Sequence, residues 1–298
     1  MVEKEFTGPQ PLVVSGVTPT ISRIWKKVVF TFRADPLFLV SCSVVAMITV
    51  CAVFPTMIAP ENPDRISKLS LQPPSRAHLL GTDEFGRDIL SRIIHSAQVE
   101  ISVSSLGVAL AVLVGVPMGL FAGYYGGKVD LLLSHIQESM LAFPSLLFAI
   151  LVVNAIGAST QSIIITIGMI YAPRFMRLVR GNVLVLKNEE YISASRAAGS
   201  TDFRICFSHI LPNCQAPVIV QISLAMSVAI LIESGLSYLG LGVQPPTATW
   251  GTMLKLAQTY PKQAPWYVLA PGLSIFAVCL AFNYIGDSLR DNLDPRLH

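Results

Sequence analysis

Residues 101–127 read ISVSSLGVALAVLVGVPMGLFAGYYGG and contain no charged side chain. An uncharged apolar run of about 18 residues or more is a candidate transmembrane helix, because roughly 20 residues span the hydrocarbon core of a bilayer. Residues 37–59 form a second run of this kind, and residues 139–173 form a longer one. These runs predict an integral membrane protein.

The composition of the whole chain supports the same class. Of its 298 residues, 52% are hydrophobic and 13% are charged, whereas soluble domains carry about 25% charged residues. We predict an all-α, polytopic fold with six transmembrane helices, at residues 37–59, 101–127, 132–156, 162–182, 213–235 and 264–286. A turn over residues 157–161 separates the third span from the fourth. Kinks are predicted in the spans that contain Pro117, Pro144, Pro173, Pro217 and Pro271. We expect contact with membrane lipid and none with nucleic acid.

The distribution of Lys and Arg predicts the orientation of these spans. With the N-terminus inside, about two thirds of the 21 Lys and Arg residues lie on the inner side of the membrane. Both termini are therefore expected in the cytoplasm. Residues 1–36 are predicted to form a cytoplasmic tail whose basic stretch suits the inner membrane surface, and residues 37–298 are predicted to form the membrane domain.

Two polar segments interrupt the apolar runs. Residues 60–100 form a long outer loop, and from Ile89 onward its apolar residues recur at helical spacing. That spacing predicts a short helix that lies on the membrane and leads into the second span. A second polar segment, residues 188–212, follows the fourth span on the inner side.

The 188–212 segment predicts a helix, a tight turn and a second helix. Asn188 caps the first helix, which has two glutamates in its first turn, and Gly199 ends it. The Ser-Thr pair after Gly199 caps the second helix, which Pro212 ends. The small side chains of the first helix would let the surface of another protein approach closely. An ordinary solvated loop helix would show the same pattern.

The same segment also carries a recognisable spacing. Ser193-Ala194-Ser195 is followed by Gly199 and then, after nine further residues, by His209-Ile210-Leu211-Pro212. In this spacing the chain resembles the inner-membrane permease subunits of bacterial ABC importers, in the dipeptide/oligopeptide/nickel family. The cytoplasmic motif of that family reads E-A-A, three residues, G, nine residues, I-x-L-P. Ser193 and His209 stand where the family has Glu and Ile.

Three further stretches are similar to the same family. Residues 80–92 read LGTDEFGRDILSR, residues 236–246 read LSYLGLGVQPP with Trp250-Gly251 close behind, and residues 286–296 read GDSLRDNLDPR. The likeness spans roughly residues 37–298. It implies the type I ABC importer permease fold in the bacterial inner membrane.

The resemblance implies two sites. The 188–212 segment would be a coupling helix that docks on a partner ATPase through Tyr191, Ser193, Ala194, Ser195, Ala197, Ala198, Gly199, Phe203, Leu211 and Pro212. An outer-loop motif would comprise Gly81, Thr82, Asp83, Gly86, Arg87 and Asp88. The implied partners are a second permease subunit, two cytoplasmic ATP-binding subunits and an extracellular solute-binding protein.

The function that the resemblance implies is ATP-driven translocation of di- or oligopeptides by alternating access. Glutathione and nickel chelates are alternative cargoes within the same class. An ion-coupled secondary transporter and a structural membrane scaffold are the alternatives from other classes. ATP and Mg would be bound by the partner ATPase subunits, and no cofactor is expected on this chain.

The residues themselves favour transport over catalysis. Gly126-Gly127-Lys128-Val129 is the nearest approach to a phosphate-binding P-loop, but it lacks the first Gly and the final Ser or Thr of that motif. ATP chemistry must therefore come from another chain, and no catalytic residue is predicted. His78 and His95 lack the spacing of metal ligands, so no metal site is predicted.

Two acidic residues in the spans are candidates for the substrate pathway. Ionisable residues within a membrane are costly and are functional candidates by default. Glu138 lies in the third span with His135 one turn earlier, where it could instead be solvated near the inner surface or pair with Arg177. Glu233 lies near the outer end of the fifth span, where it could instead bond to the loop backbone.

Overall fold

The computed structural model describes residues 35–244 and 246–293, and this part of the chain contains helices and no β-strand. The helices are α1 Pro36–Val53, α2 Pro55–Ile58, α3 Ile89–Tyr125, α4 Gly127–Leu141, α5 Ser145–Ile156, α6 Thr160–Leu186, α7 Glu190–Ala197, α8 Asp202–Leu239, α9 Trp250–Ala257 and α10 Pro265–Leu293. The predicted cytoplasmic tail lies outside the described residues except at its end. There the Asp35 carboxylate caps α1 by accepting a hydrogen bond from the Leu37 N–H at 3.0 Å.

Among the described residues, five helices are long and apolar enough to span a membrane, namely α1, α3, α6, α8 and α10. The span predicted at residues 132–156 is broken at the predicted kink, because α4 and α5 meet at a bend of 95°. Pro144 lies at this bend. It has no N–H to donate, and its ring disfavours helical backbone at the preceding residue. Counted as one broken span, the α4–α5 pair brings the total to six.

The helix α3 is continuous over 37 residues. The separate membrane-surface helix predicted before the second span is therefore wrong, because Ile89 begins the same helix that crosses the membrane. Asp88 caps its first turn, where the carboxylate accepts a backbone N–H at 2.8 Å. No Pro or Gly interrupts residues 89–106. The polar Glu100 within this stretch is fully buried in the protein instead of lying at the membrane surface.

The helices α3 and α6 form the most extensive helix pair in the described part of the chain. Small buried residues recur every four positions on the α6-facing side of α3, at Gly107, Ala111, Gly115, Gly119 and Gly123. A Cβ built on Gly119 would lie 2.5 Å from the carbonyl oxygen of Met176 on α6, closer than real atoms approach. The stripe therefore lets the two backbones touch, as small residues spaced by four do in membrane helix pairs.

The 188–212 segment begins as predicted, with a short helix and a glycine turn. Gly199 ends α7 in a left-handed conformation with φ of 81°. The N-cap of α7 is Glu189 and not Asn188, because the Asn188 side chain donates to the carbonyl of Leu184 at 3.0 Å. Thr201 caps the start of α8 by accepting a backbone N–H.

Pro212 does not end the second helix, contrary to the prediction. A π turn at Ile205–Ile210 and a 3-10 turn at Leu211–Cys214 carry the chain directly into the regular part of α8. Pro212 is tolerated because it lies in the first turn of the 3-10 segment, where its missing N–H leaves no bond unmade. The predicted pair of short helices is therefore one short helix, a tight turn and the beginning of a long span.

Replacing Gly119 by Ala is expected to destabilise the protein by about 1–3 kcal/mol, because the added methyl group would overlap the backbone of α6. Gly181→Ala is the matched control, since a Cβ on Gly181 of α6 meets no atom within 4 Å and Ala is the better helix former. The thermal unfolding midpoints of the detergent-purified variants measure the effect. Equal midpoints for Gly119→Ala and the wild type would contradict the close packing.

Candidate functional site

The short helix α7 presents a face of small side chains away from the rest of the chain. Ile192 is buried and attaches the helix to the core. The exposed small residues on α7 and in the following turn are Ser193, Ala194, Ala197, Ala198 and Gly199, and the charged Glu190 and Arg196 of α7 are exposed as well. Phe203 projects beside them with 67% of its surface exposed. Most of the predicted coupling residues thus lie together on one accessible surface.

The other predicted residues of this surface are partly buried. Tyr191 is half-buried and accepts a hydrogen bond from the Asn213 side chain at 3.4 Å. Burial raises the pKa of the Tyr191 hydroxyl, so it is neutral at physiological pH. The Ser195 hydroxyl donates to Ser200 across the glycine turn at 3.0 Å. Leu211 and Pro212 are half-buried at the base of α8.

Tyr124 joins both parts of the 188–212 segment to the end of α3. Its hydroxyl donates to the Asp202 carboxylate at 2.6 Å and accepts a hydrogen bond from the Arg196 guanidinium at 3.1 Å. Asp202 begins α8, and Arg196 is in the last turn of α7. The bond to Tyr124 raises the pKa of Arg196. We call these three residues the Tyr124 network.

Two further contacts strengthen this attachment. The Lys187 ammonium donates to the carbonyl of Gly123 at 2.9 Å, directly before Tyr124 on α3. An aromatic series runs from Phe203 to Phe207, with ring centres 4.4 Å apart, and on to Phe121 of α3 at 6.3 Å. The segment is therefore fixed to α3 by polar and apolar contacts together.

The predicted outer-loop motif forms a closed turn around one carboxylate. Asp83 is fully buried and accepts hydrogen bonds from the backbone N–H of Phe85 and of Arg87, both at 2.9 Å, and from the Arg87 side chain at 2.6 Å. Gly81 and Gly86 have positive φ angles of 76° and 70°. Close backbone carbonyls leave no room for a Cβ at either glycine.

The remaining motif residues connect the turn to α3. Thr82 is fully buried and its hydroxyl accepts the Gln72 N–H at 2.9 Å. Asp88 caps α3 with one oxygen and contacts the Nδ1 of His78 with the other at 3.1 Å. The structure thus brings all six predicted residues into one compact, internally bonded element. The side chains of the motif mainly form hydrogen bonds within the loop, and these bonds stabilise its shape.

A buried pair of carboxyl groups, Glu100 on α3 and Glu233 on α8, lies where the sequence predicted one pathway acid. Both residues have no exposed surface, and their carboxyl groups lie close enough to interact with each other. Glu100 also accepts the backbone N–H of Trp250 at 3.2 Å, at the start of α9. Glu233 accepts the Ser237 hydroxyl at 2.7 Å. The pair therefore connects three helices.

We expect this pair to share one proton. Two adjacent buried carboxylates would repel each other strongly, whereas a protonated carboxyl group can donate to its ionised neighbour. The Oε2 atom of Glu233 is buried and has no hydrogen-bond partner among the described residues. The sequence does not indicate Glu100 as a buried residue. It precedes the uncharged run at residues 101–127 and belongs to the predicted outer loop.

Glu138 has different surroundings from Glu233. Its side chain is 68% exposed on α4, and its carboxylate lies 3.8 Å from the Nδ1 of His135 one turn earlier. Of the predicted surroundings, the structure shows the exposed side chain and the His135 neighbour, and no ion pair with Arg177 among the described residues. The two candidate pathway acids are on different helices, one at the surface of this chain and one inside it.

Replacing Glu233 by Gln is expected to leave the thermal unfolding midpoint close to that of the wild type, because an amide donates to Glu100 as a protonated carboxyl does. Glu233→Ala is expected to lose about 1–3 kcal/mol, since Glu100 would be left buried without its main partner. Unfolding in detergent at neutral pH measures both variants. If Glu233→Gln is as unstable as Glu233→Ala, the shared proton is excluded.

Comparisons with known proteins identify the family. Residues 115–298 match the family described as "Binding-protein-dependent transport system inner membrane component". Residues 23–74 match the "N-terminal TM domain of oligopeptide transport permease C". The family that the 188–212 motif indicated is therefore confirmed.

Individual relatives are similar over three quarters of the chain or more. The dipeptide transport system permease protein DppC of Alkalihalophilus pseudofirmus is 42% identical over 92% of this chain and 90% of its own length. The di/tripeptide transport system permease protein DppC of Pseudomonas aeruginosa is 42% identical over 84% of this chain and 85% of its own. The glutathione transport system permease protein GsiD of Pectobacterium atrosepticum is 42% identical, over 75% and 74%.

A solved structure shows the same fold. The inward-facing MetNI methionine ABC transporter aligns with a TM-score of 0.57, covering 68% of this chain and 97% of the transporter chain at 15% identity. The predicted all-α importer fold and multi-pass membrane location are confirmed. Relatives named as permeases agree with the prediction of a transport subunit, not an enzyme. The chain belongs to the binding-protein-dependent inner-membrane permeases of ABC importers.

Proposed function

We propose that this chain is one of two permease subunits of an ATP-driven importer of di- or oligopeptides. The observation that carries the proposal is the exposed small-residue face of α7, held to the end of α3 by the Tyr124 network. A rigid, accessible helix attached to a long span can transmit the movement of a partner to that span. The names of the dipeptide and di/tripeptide relatives support peptides as the cargo.

In this proposal the 188–212 segment docks on a cytoplasmic ATPase subunit. The exposed face of α7 would enter a cleft of the ATPase, where its small side chains permit close backbone contact. Phe203 would supply an apolar anchor, and Tyr191, Ser195, Leu211 and Pro212 would support the segment from behind. Two ATPase subunits would bind the ATP and Mg, and their closure would move the permease between two global states.

The remaining partners follow from the same arrangement. Both termini and the 188–212 segment would face the cytoplasm, and the 60–88 loop would face an extracellular solute-binding protein. The compact turn around Asp83 gives that protein a rigid surface to contact. A second, homologous permease subunit would complete the translocation pathway. A pathway role for Glu138 and Glu233 stays a prediction.

Uptake by the reconstituted importer tests the cargo. The full assembly in proteoliposomes, with its binding protein outside and ATP inside, is expected to accumulate a labelled dipeptide. Glutathione is the second candidate, supported by the glutathione permease relative, and a nickel chelate is the third. Preferential uptake of glutathione or of the chelate would overturn the peptide assignment. Uptake that persists without ATP under an ion gradient would instead indicate a secondary transporter.

Replacing Ala197 by Glu is expected to abolish peptide uptake while ATP hydrolysis continues, because the charge enters the proposed contact with the ATPase. Ser193→Glu is the matched control on the same exposed helix, since the family motif has Glu at that position, and it is expected to transport normally. Uptake and ATPase activity are measured on the same proteoliposomes. Full uptake by Ala197→Glu would eliminate this contact surface.

Replacing Tyr124 by Phe removes the two hydrogen bonds of the network and keeps the ring. We expect uptake per ATP hydrolysed to fall about fivefold or more, since loss of about 1 kcal/mol per bond loosens the segment from α3. Tyr125→Phe, at the exposed neighbouring residue, is the control. An unchanged ratio of uptake to hydrolysis in Tyr124→Phe would show that the network does not transmit movement.

A further inference from the structure

The bend between α4 and α5 faces away from the core of this chain. Residues 142–144 are exposed, and α5 begins at Ser145 without a side-chain cap. Its first backbone N–H groups therefore have no partner within the helix. Irregular backbone at membrane depth is tolerated only where it contacts protein or lines a water-filled cavity, never where it faces lipid. The bend must accordingly face a partner chain or a wet pathway.

Arg174 of α6 lies at the same place. It is 14 positions into α6, about 21 Å along the helix axis from its first residue. Its guanidinium donates to the Ser145 hydroxyl at 2.9 Å and lies 4.7 Å from the centre of the Tyr171 ring. A cation at such a position in a span is expensive unless it faces water or an anion.

No carboxylate neutralises Arg174 in the part of the chain that the structure describes. Arg180, further along α6, does have such a partner, because it forms a two-pronged ion pair with Asp130. Arg174 thus has a hydrogen bond to Ser145 but no counter-ion among the described residues, and the partner that a guanidinium without a counter-ion lacks is an anion.

A small cavity opens beside this guanidinium. Apolar side chains surround it, with Phe143 and Phe148 on one side and Met169 and Ile170 of α6 on the other, and Arg174 and Ser145 supply its polar groups. The cavity in this chain has room for about one water molecule, so it would form one wall of a wider pathway. There an amphipathic anion could pair its carboxylate with the guanidinium and pack its side chain on the apolar wall. A peptide with a free carboxyl terminus has this chemistry.

We propose that Arg174, with Ser145 and the first N–H groups of α5, binds the terminal carboxylate of the peptide as it crosses the membrane. This inference rests on the proposed function and adds a specific contact to the translocation pathway. Arg174 would bind the carboxylate as the peptide arrives from the outer side. It would release the carboxylate when the α4–α5 bend moves relative to α6. The site would favour peptides with a free carboxyl terminus over amidated ones.

Uptake by the full reconstituted importer, with saturating dipeptide-loaded binding protein and ATP, tests the contact. Arg174→Gln is expected to lower the transport rate about tenfold, because a hydrogen-bonded charge pair is lost. Arg174→Lys is expected to retain part of the rate. Arg177→Gln, at an exposed arginine three residues away, is the matched control and is expected to transport like the wild type. Binding-protein-stimulated ATP hydrolysis is expected to stay within about twofold in all variants.

A crosslinking measurement separates substrate contact from a structural role. A dipeptide with a benzophenone side chain on its carboxyl-terminal residue, trapped in the wild-type importer with ATP and vanadate, is expected to label Met169 or Phe143. The isomer with benzophenone on its amino-terminal residue is expected to label other positions. Labelling that is identical for the two isomers, or an unchanged transport rate in Arg174→Gln, would overturn the inference. Failure of the wild-type importer to take up any dipeptide would refute the proposed function instead.

Discussion

The close contact of α3 with α6 is the constraint on which the rest of the structure depends. Four glycines and an alanine at intervals of four residues bring the two backbones together. In lipid there is no hydrophobic force to drive helix association, so such close packing must supply the attraction. This pair holds the 60–88 loop at one end, the 188–212 segment at the other, and Arg174 beside the α4–α5 bend.

The main features of the fold could be predicted from the sequence because they depend on local composition. Uncharged runs locate the spans, and Gly199 and Pro144 locate the turn and the bend. The boundary between loop and span at residues 89–100 could not be predicted in this way. Glu100 is polar in the sequence, yet it is buried against Glu233 and the backbone N–H of Trp250, which are far away along the chain. Only the packed structure shows these partners.

The candidate site also has features that local sequence predicts and features that depend on packing. The accessible face of α7 follows from the motif spacing, since its small residues are consecutive in the sequence. The Tyr124 network does not, because Tyr124, Arg196 and Asp202 belong to different helices and each is an ordinary residue type in its own context. The prediction that Pro212 ends a helix is wrong for a related reason. A proline usually ends a helix, but the π and 3-10 turns around it let α8 continue.

The unbroken course of α3 has a mechanical consequence. Its 37 residues form a rod of about 55 Å, with the Asp88 cap at one end and Tyr124 at the other. Each residue turns a helix by about 100°. The number of residues between the outer turn and Tyr124 therefore sets the directions around the helix axis in which the two ends point. An insertion or deletion of one residue would misalign the two ends even if every side chain were conserved. The number of residues in α3 is therefore constrained by the structure, separately from which residues the helix contains.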